Sequence, residues 1–212
     1  MKVFTILLIL ALLLPISSVS IVSVQQPSIK TFVQWCQQRD SLAGDTKYTV
    51  DVMIEKAGTK DCKQAERYFN KLTEINLSRT NISDVRPLAS LNNLTRLYLI
   101  SNRINDITPL ASLNKLTVLY LMFNRIKDVT PLASLNKLTF LSLTHNQISN
   151  LRPLASLIEL THLNIANNPI SDLRPLAGLK KLTSLYLDPK FTKKDCPVKL
   201  EACIDVSTLI EN

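Results

Sequence analysis

Apolar residues recur with a fixed spacing along the middle of the chain. One stretch follows the pattern L-x-x-L-x-x-L-x-L-x-x-N-x-I-x-x-I, and its positions are Leu91, Leu94, Leu97, Leu99, Asn102, Ile104 and Ile107. The same columns return from Leu113 onward and continue through four full copies and a truncated fifth. An earlier apolar set, from Phe69 to Val85, falls in the same register. The repetition therefore begins at about Ala65.

Each copy contains one segment with the period of a strand. Around Leu97 and Leu99, apolar positions alternate with other residues, as in a half-buried strand. No single copy can enclose its row of leucines, but stacked copies bury them against one another. Each fully buried Leu or Ile contributes roughly 1.5 to 3 kcal/mol. The pattern thus predicts a stack whose short strands form a parallel sheet.

An asparagine follows each predicted strand, where the chain has to turn. Its amide can donate to and accept from backbone groups that the turn leaves unpaired. Thr80 holds this place in the first copy, which suits a terminal unit. We expect the asparagines to form a structural ladder, and its members are Asn102, Asn124, Asn146 and Asn168.

A proline opens the phrase P-L-A-S-L, or P-L-A-G-L in the last copy, at a constant step of 22. These prolines are Pro87, Pro109, Pro131, Pro153 and Pro175. In Thr108-Pro109 and Thr130-Pro131 we interpret the threonine as a cap and the proline as the first helical residue. A short helix or 3₁₀ turn is expected at each proline. Where arginine replaces the threonine, we assign the capping to Asp84, Asn150 and Asp172.

The 22-residue copies, with their Asn-x-Ile-x-Asp-Ile-x-Pro-Leu phrase, closely resemble a short bacterial subtype of leucine-rich repeat. This subtype occurs in internalin-like proteins and in phosphatase-regulator relatives, and the likeness covers about residues 65–187. The resemblance implies an α/β fold, a right-handed curved solenoid with a parallel β-sheet on the concave side. It implies short 3₁₀ or helical turns on the convex side. It also implies a role in protein recognition, without identifying the partner.

The beginning of the chain is typical of a secretory signal peptide. Lys2 precedes an uncharged apolar run from Ile6 to Leu14, and Pro15 and small residues such as Ser18 follow it. The run is well short of the ~20 residues that a membrane span needs. We therefore predict a secreted or periplasmic protein without a membrane span in the mature chain.

Two cysteines precede the repeats and two follow them. An even number of cysteines in an exported chain favours disulfides, and we predict one between Cys36 and Cys62 and another between Cys196 and Cys203. The spacing of seven in the second pair is not typical of zinc ligands. No metal or other cofactor is expected.

The exposed ends of a solenoid core need caps. A helix is predicted at about residues 61–72, where the N-terminal cap meets the repeats. The predicted segments are a signal peptide at 1–20 with an open cleavage site, an N-terminal cap at 21–64, leucine-rich repeats at 65–190 and a C-terminal cap at 191–212.

Charge and candidate chemistry narrow the function. The formal net charge is +8, but the basic residues are spread over the repeats and the tail, so no nucleic-acid partner is expected. His145 and His162 are predicted too far apart to act as a pair, and no nucleophile or phosphate-binding motif is present. The repeated aspartates could bind calcium in principle, but Asn150 interrupts their column and capping accounts for them.

The residues that flank the strand leucines vary from copy to copy and should face outward on the concave side. Those on three adjacent strands are rich in aromatic and apolar types, which mark interaction sites. Arg96, Arg103 and Arg125 are expected to border this patch, and an inward orientation of Phe123 stays open. The predicted partner-binding residues are Arg96, Tyr98, Ile100, Val118, Tyr120, Met122, Phe123, Phe140 and His162.

The sequence therefore predicts a secreted, monomeric recognition module that binds a protein on its concave face and catalyses no reaction. A secreted inhibitor of a hydrolase is an alternative. An intracellular phosphatase regulator is a third possibility, although the signal segment and the cysteines conflict with it.

Overall fold

The computed structural model describes residues 30–205, so the predicted signal peptide, the first part of the predicted N-terminal cap and residues 206–212 lie outside the described residues. Three helices come first: α1 (Phe32–Gln37), α2 (Gly44–Ala57) and α3 (Cys62–Lys71). The helix predicted at 61–72 corresponds to α3. The side chain of Asp61 caps it by accepting from the backbone N–H groups of Lys63 and Gln64.

One parallel sheet runs through the rest of the chain, with its strands in sequence order. The strands are β1 (Glu74–Asn76), β2 (Arg96–Tyr98), β3 (Val118–Tyr120), β4 (Phe140–Ser142), β5 (His162–Asn164), β6 (Ser184–Leu187) and β7 (Cys203–Asp205). From β1 to β6 the register advances by one repeat per strand, so that Leu97 lies opposite Leu119. The predicted α/β solenoid with its parallel sheet and short 3₁₀ turns is confirmed.

The repeated apolar residues form one continuous core along the stack. Leu116, Leu119, Leu121 and Ile126 are inaccessible to solvent, and the corresponding residues of the neighbouring copies are equally buried. Burial is collective because each row of leucines packs between the rows above and below it. This rigid core leaves the side chains between the leucines free to differ on the outer surface of the sheet.

A 3₁₀ turn follows each of the strands β1 to β5 and starts one residue before the recurring proline of the phrase. The turns are Arg86–Leu88, Thr108–Ser112, Thr130–Ser134, Arg152–Ser156 and Arg174–Gly178. The prediction that Thr108 caps its turn is wrong, because Thr108 is the first residue of the turn. Its own backbone N–H donates to Asp106 Oδ1 at 2.8 Å.

The same contact occurs at Thr130, whose N–H donates to Asp128 Oδ1. A carboxylate can reach the N–H two residues along the chain, whereas a residue inside the turn cannot cap it. In the copies with arginine, the predicted contacts of Asp84, Asn150 and Asp172 are observed. One side chain, an aspartate or asparagine, therefore has the same role in all five turns.

The helices close the first end of the stack. Phe32 of α1 packs edge-on against Phe69 of α3, with ring centroids 4.7 Å apart, and a disulfide joins Cys36 to Cys62. From α2, the Thr49 hydroxyl donates to the carbonyl oxygen of Asp84 at 2.7 Å. These contacts dock the helices onto the first repeat.

The other end carries a second disulfide, Cys196–Cys203, and the additional strand β7. Strand β7 pairs in parallel with β6 and is the seventh strand of the sheet. Leu185 lies opposite Cys203, so fewer residues separate these two strands than separate the strands of the repeats. For this reason the repeat pattern did not predict β7. Among the helices of residues 30–205, none combines the length and hydropathy needed to cross a bilayer.

Candidate functional site

Buried asparagines fix the turns that follow the strands. Asn124 Nδ2 donates to the carbonyl oxygens of Leu99 and Leu121, at 2.8 and 3.0 Å, and Asn124 Oδ1 accepts from the N–H of Ile104. Asn102, Asn146 and Asn168 make corresponding contacts, and each of the four is only 6–8% exposed. Thr80 takes this place in the first copy, where its hydroxyl donates to Leu77 O. These repeated asparagine contacts hold each strand in the same orientation as its neighbours.

The residue before each asparagine has a left-handed backbone. The φ angles of Ser101, Phe123, His145 and Asn167 lie between 55° and 58°, a region that non-glycine residues seldom adopt. The backbone N–H of Phe123 donates to Thr144 O at 2.9 Å. This hydrogen bond to the next copy stabilises the left-handed conformation of Phe123. Phe123 is 45% exposed, which makes the alternative of an inward orientation wrong.

Four aromatic rings follow one another across β2 to β5, with the Tyr120–Phe140 pair tilted by 34° and the other two pairs stacked. The rings of Tyr98 and Tyr120 are nearly parallel, with centroids 5.0 Å apart, and Phe140 follows Tyr120 at 4.7 Å. His162 continues the row 5.8 Å from Phe140. We call these four residues the aromatic ladder. It brings together four of the nine predicted partner-binding residues in one row.

A second, shorter stack lies beyond the ends of the strands. Phe123 stacks on His145 with ring centroids 4.3 Å apart. The predicted single patch is therefore divided into two rows of rings. His145 was not among the predicted binding residues, although its place one repeat after Phe123 was a usable signal. Met122 and Thr144 lie between the Phe123–His145 pair and the aromatic ladder.

The predicted aliphatic residues lie beside these rings. Val118 is half-buried at the start of β3, and Ile100 and Met122 are half-buried two residues after β2 and β3. Ser142 lies opposite Tyr120 in the sheet, and its Oγ donates to Met122 Sδ at 3.8 Å. Because Ser142 is small and almost fully covered, the Tyr120 ring can lean toward Phe140.

Further along the sheet the surface residues are short. Thr144 and Ala166 are buried, and the Thr144 hydroxyl donates to Asn164 Oδ1, which also accepts from the N–H of Ala166. These polar groups are therefore satisfied within the sheet. Their types in the sequence give no sign of this arrangement, because it depends on the side chains of the neighbouring copy.

Little net charge lies on the concave strands. Arg96 Nη1 is 3.3 Å from Glu74 Oε2, which neutralises the one pair of charged residues on the first two strands. His162 Nδ1 lies 2.9 Å from the Thr161 hydroxyl. Burial raises the pKa of the Tyr120 phenol, and the neighbouring Tyr98 phenol raises it further. Tyr120 is therefore neutral at physiological pH and can donate a hydrogen bond.

Arg103 and Arg125, which were expected at the rim of the aromatic patch, line a polar cleft of about 530 Å³ after the strands. Asp84 and Asp106 also line this cleft. Burial alone would raise the pKa of Asp84, but hydrogen bonds from Arg86 and Thr46 lower the pKa below its ordinary value. The cleft therefore contains side chains of both signs.

The carboxylates of the aspartate column, which were considered above as possible calcium ligands, accept hydrogen bonds from the protein itself. Asp84 accepts hydrogen bonds from Thr46 and Arg86, and Asp106 accepts from the N–H of Thr108. Within residues 30–205, no three histidine, cysteine or acidic side chains are grouped closely enough to hold a metal ion. Asp84, Asp106, Asp128 and Asp172 of this column each accept the backbone N–H of the first residue of a 3₁₀ turn.

The chain matches the family model described as Leucine Rich repeats (2 copies) over three stretches. They are residues 70–112, 114–156 and 158–193, which together make up more than half of the chain. A search of curated proteins gives no significant match.

Among solved structures, the chain is similar to an internalin (inlF) of Listeria monocytogenes, with 38% identity and a TM-score of 0.56. The match covers 57% of this chain and 36% of that one. Internalin C2 of the same organism is 43% identical, with a TM-score of 0.54 and coverages of 58% and 54%. A leucine-rich-repeat protein of Leptospira interrogans is 28% identical, with a TM-score of 0.53 and coverages of 58% and 33%. The matched region thus spans between a third and just over half of these structures.

Proposed function

The chain belongs to the leucine-rich-repeat family, and we propose that it is a secreted recognition module that binds a protein on its concave face. Leucine-rich-repeat domains of this kind are generally protein-interaction modules. The proposal that the concave face is the binding surface depends above all on the aromatic ladder. A row of partly exposed rings on a nearly neutral strand surface is the composition found at the centre of protein interfaces.

The proposed binding surface consists of the predicted residues on β2 to β5 and the positions that follow them. The ladder would form its centre, Ile100, Val118 and Met122 would add apolar area, and Arg96 would lie at the margin. Tyrosine provides a large contact area and a polar hydroxyl at low cost in conformational entropy. These properties suit a surface that has to bind without rearranging its backbone.

Two disulfides support export as part of the proposal. Cys36–Cys62 and Cys196–Cys203 would be reduced in most cytosols but persist outside the cell or in a periplasm. They favour the secreted module over an intracellular phosphatase regulator. We also propose that residues 21–64 and 191–212 act as caps of the repeats at 65–190, and that the mature chain is a monomer.

The proposal assigns no catalysis to the chain. His162 stacks on Phe140 and lies beside the Thr161 hydroxyl, whereas His145 stacks on Phe123. The two imidazoles thus belong to separate rows of rings, and each has a place in a surface suited to contact.

Site-specific photocrosslinking tests the placement of the binding surface. A photoreactive phenylalanine would replace Tyr98 or Phe123, and in a matched control it would replace Ile158, which is 57% exposed away from the ladder. We expect protein adducts from the first two positions in extracellular material of the source organism. Adducts formed only from position 158, or equally from all three positions, would contradict the proposal.

A further inference from the structure

The arrangement of the aromatic ladder restricts the chemistry of its ligand. Neighbouring rings lie 4.7 to 5.8 Å apart with interplanar angles of 12° to 34°, so the inner faces of the rings cover one another. Sugar rings and nucleobases bind aromatic residues through exposed ring faces. A ligand that approaches the ladder meets ring edges and the Tyr hydroxyls instead. This favours a polypeptide, whose side chains and carbonyl groups can pack against edges and accept hydrogen bonds.

We call the sheet surface between the two rows of rings the trough. The aromatic ladder lies on one side of it, and the Phe123–His145 pair lies on the other. Met122 lies between Tyr120 and Phe123 along the chain, and Thr144 and Ala166 take its place in the next two copies.

The repeat of the ring spacing matches a helix. Successive turns of an α-helix rise by about 5.4 Å, within the range of the spacings in the ladder. Side chains on one face of an extended strand recur every ~6.6 Å and would fall out of step with the rings. A helix that runs along the stack can thus present one apolar side chain to each copy. Short residues at Ser142, Thr144 and Ala166 lower the floor under its path.

Charge around the trough favours acidic flanks on that helix. Lys115 and Lys137 precede β3 and β4 by three residues, and Arg125 follows β3, so basic groups lie toward both ends of these strands. Within residues 30–205, none of these three side chains takes part in an ion pair; Lys115 Nζ donates to the Asn93 amide oxygen. The strands between them are nearly neutral.

We propose that the trough between the aromatic ladder and the Phe123–His145 pair binds an amphipathic α-helix with acidic flanks. The helix runs across the strands, and its apolar side chains, spaced by three or four residues, contact one copy each. This inference rests on the proposed function, and it names the kind of polypeptide that the concave face takes.

Selection from a phage-displayed library of random 20-residue peptides tests the proposal. The target is the full chain exported through an oxidising compartment, with counter-selection on the Tyr98→Ala/Tyr120→Ala variant. We expect enriched peptides with apolar residues at a period of three to four and with Asp or Glu on the flanks. Synthetic versions should gain helical circular dichroism on binding and bind the double variant at least tenfold more weakly.

Two further variants separate binding from folding. Met122→Glu keeps every ring and places an acidic group between the two rows, so it should also weaken binding at least tenfold. Ile158→Ala removes an exposed apolar side chain elsewhere and should leave binding within twofold. An increase of NaCl from about 50 to 500 mM should weaken binding several-fold, because the flanking charges become screened.

The outcomes distinguish this inference from the proposed function. Enriched peptides that depend on the ladder but bind in an extended form overturn the helix and leave protein recognition on the concave face standing. A selection without ladder-dependent peptides overturns the helix as well, and the crosslinking at Tyr98 and Phe123 then decides the proposed function separately. Chitohexaose serves as a glycan probe, and its ladder-dependent binding would overturn the preference for a polypeptide.

Discussion

Single asparagine side chains hold the turns of this protein, and their loss should be costly. In Asn124→Ala, the carbonyl oxygens of Leu99 and Leu121 and the N–H of Ile104 lose a buried partner. Each such loss lowers the free energy of unfolding by about 1 to 3 kcal/mol. Urea denaturation of this variant should therefore show a clear decrease in that free energy. Asn105→Ala, on the exposed surface, should stay within about 0.5 kcal/mol; equal effects would contradict the account.

The cap of each 3₁₀ turn can be assigned by a pair of substitutions. Asp106→Ala removes the acceptor of the Thr108 N–H and should destabilise the protein by about 1 kcal/mol. Thr108→Ala leaves that hydrogen bond intact and should change the stability by less than about 0.5 kcal/mol. Thermal unfolding of both variants measures the difference. A larger effect of Thr108→Ala would restore the threonine as the cap.

The carboxylate of Asp84 should make stability depend on acidity. Its pKa in the folded protein is lowered, so the unfolded chain binds the proton more tightly. The stabilisation is present above the unfolded pKa of ~3.9 and is lost as the pH falls through the lower folded value. Denaturation between pH 6 and pH 2 should therefore show a shallower loss of stability for Asp84→Asn than for the wild type. Parallel curves would contradict this role.

At the level of residues, the sequence predicted what repeats and missed what depends on neighbours. The leucine columns and the asparagine positions follow directly from the 22-residue spacing. The division of the patch into two rows depends on the left-handed φ of Phe123 and on the small Ser142 opposite Tyr120. Neither property follows from hydrophobic pattern alone, because each depends on the adjacent copy.

At the level of elements, the two disulfides should differ in their contribution. Cys36 and Cys62 close a loop with a sequence separation of 26, whereas Cys196 and Cys203 are separated by 7. The chain-entropy estimate is about 3.5 kcal/mol for the longer loop and about 2.5 kcal/mol for the shorter one. Urea denaturation of the two double Cys→Ser variants should show the larger loss for the N-terminal pair. A larger loss for the C-terminal pair would contradict the estimate.

The elements inside the repeats were predictable, and those at the C-terminal end were not. Strands β1 to β6 and the α3 helix carry clear periodicity and capping signals, including Asp61 before α3. Strand β7 pairs with β6 after a shorter step, which places Cys203 opposite Leu185. Its position depends on how the chain folds back through the Cys196–Cys203 disulfide, which no repeat spacing encodes.

At the level of the whole molecule, a uniform core supports a variable surface. Stacked leucines and asparagines repeat with almost no change, while the exposed positions of β2 to β5 carry the rings of the aromatic ladder. Such a scaffold can present a fixed row of side chains without a loss of backbone entropy on binding. The central claim is therefore that a protein partner covers the ladder.

Hydroxyl-radical footprinting of the protein with its crosslinked partner tests this claim most directly. The most informative side chains are also among the readily oxidised types, and they are Tyr98, Tyr120, Met122, Phe123 and Phe140. We predict that the partner lowers their oxidation, while Tyr48 and Tyr68, which are exposed on the N-terminal helices, react as before. Protection of Tyr48 and Tyr68 with unchanged oxidation of the ladder would contradict the account.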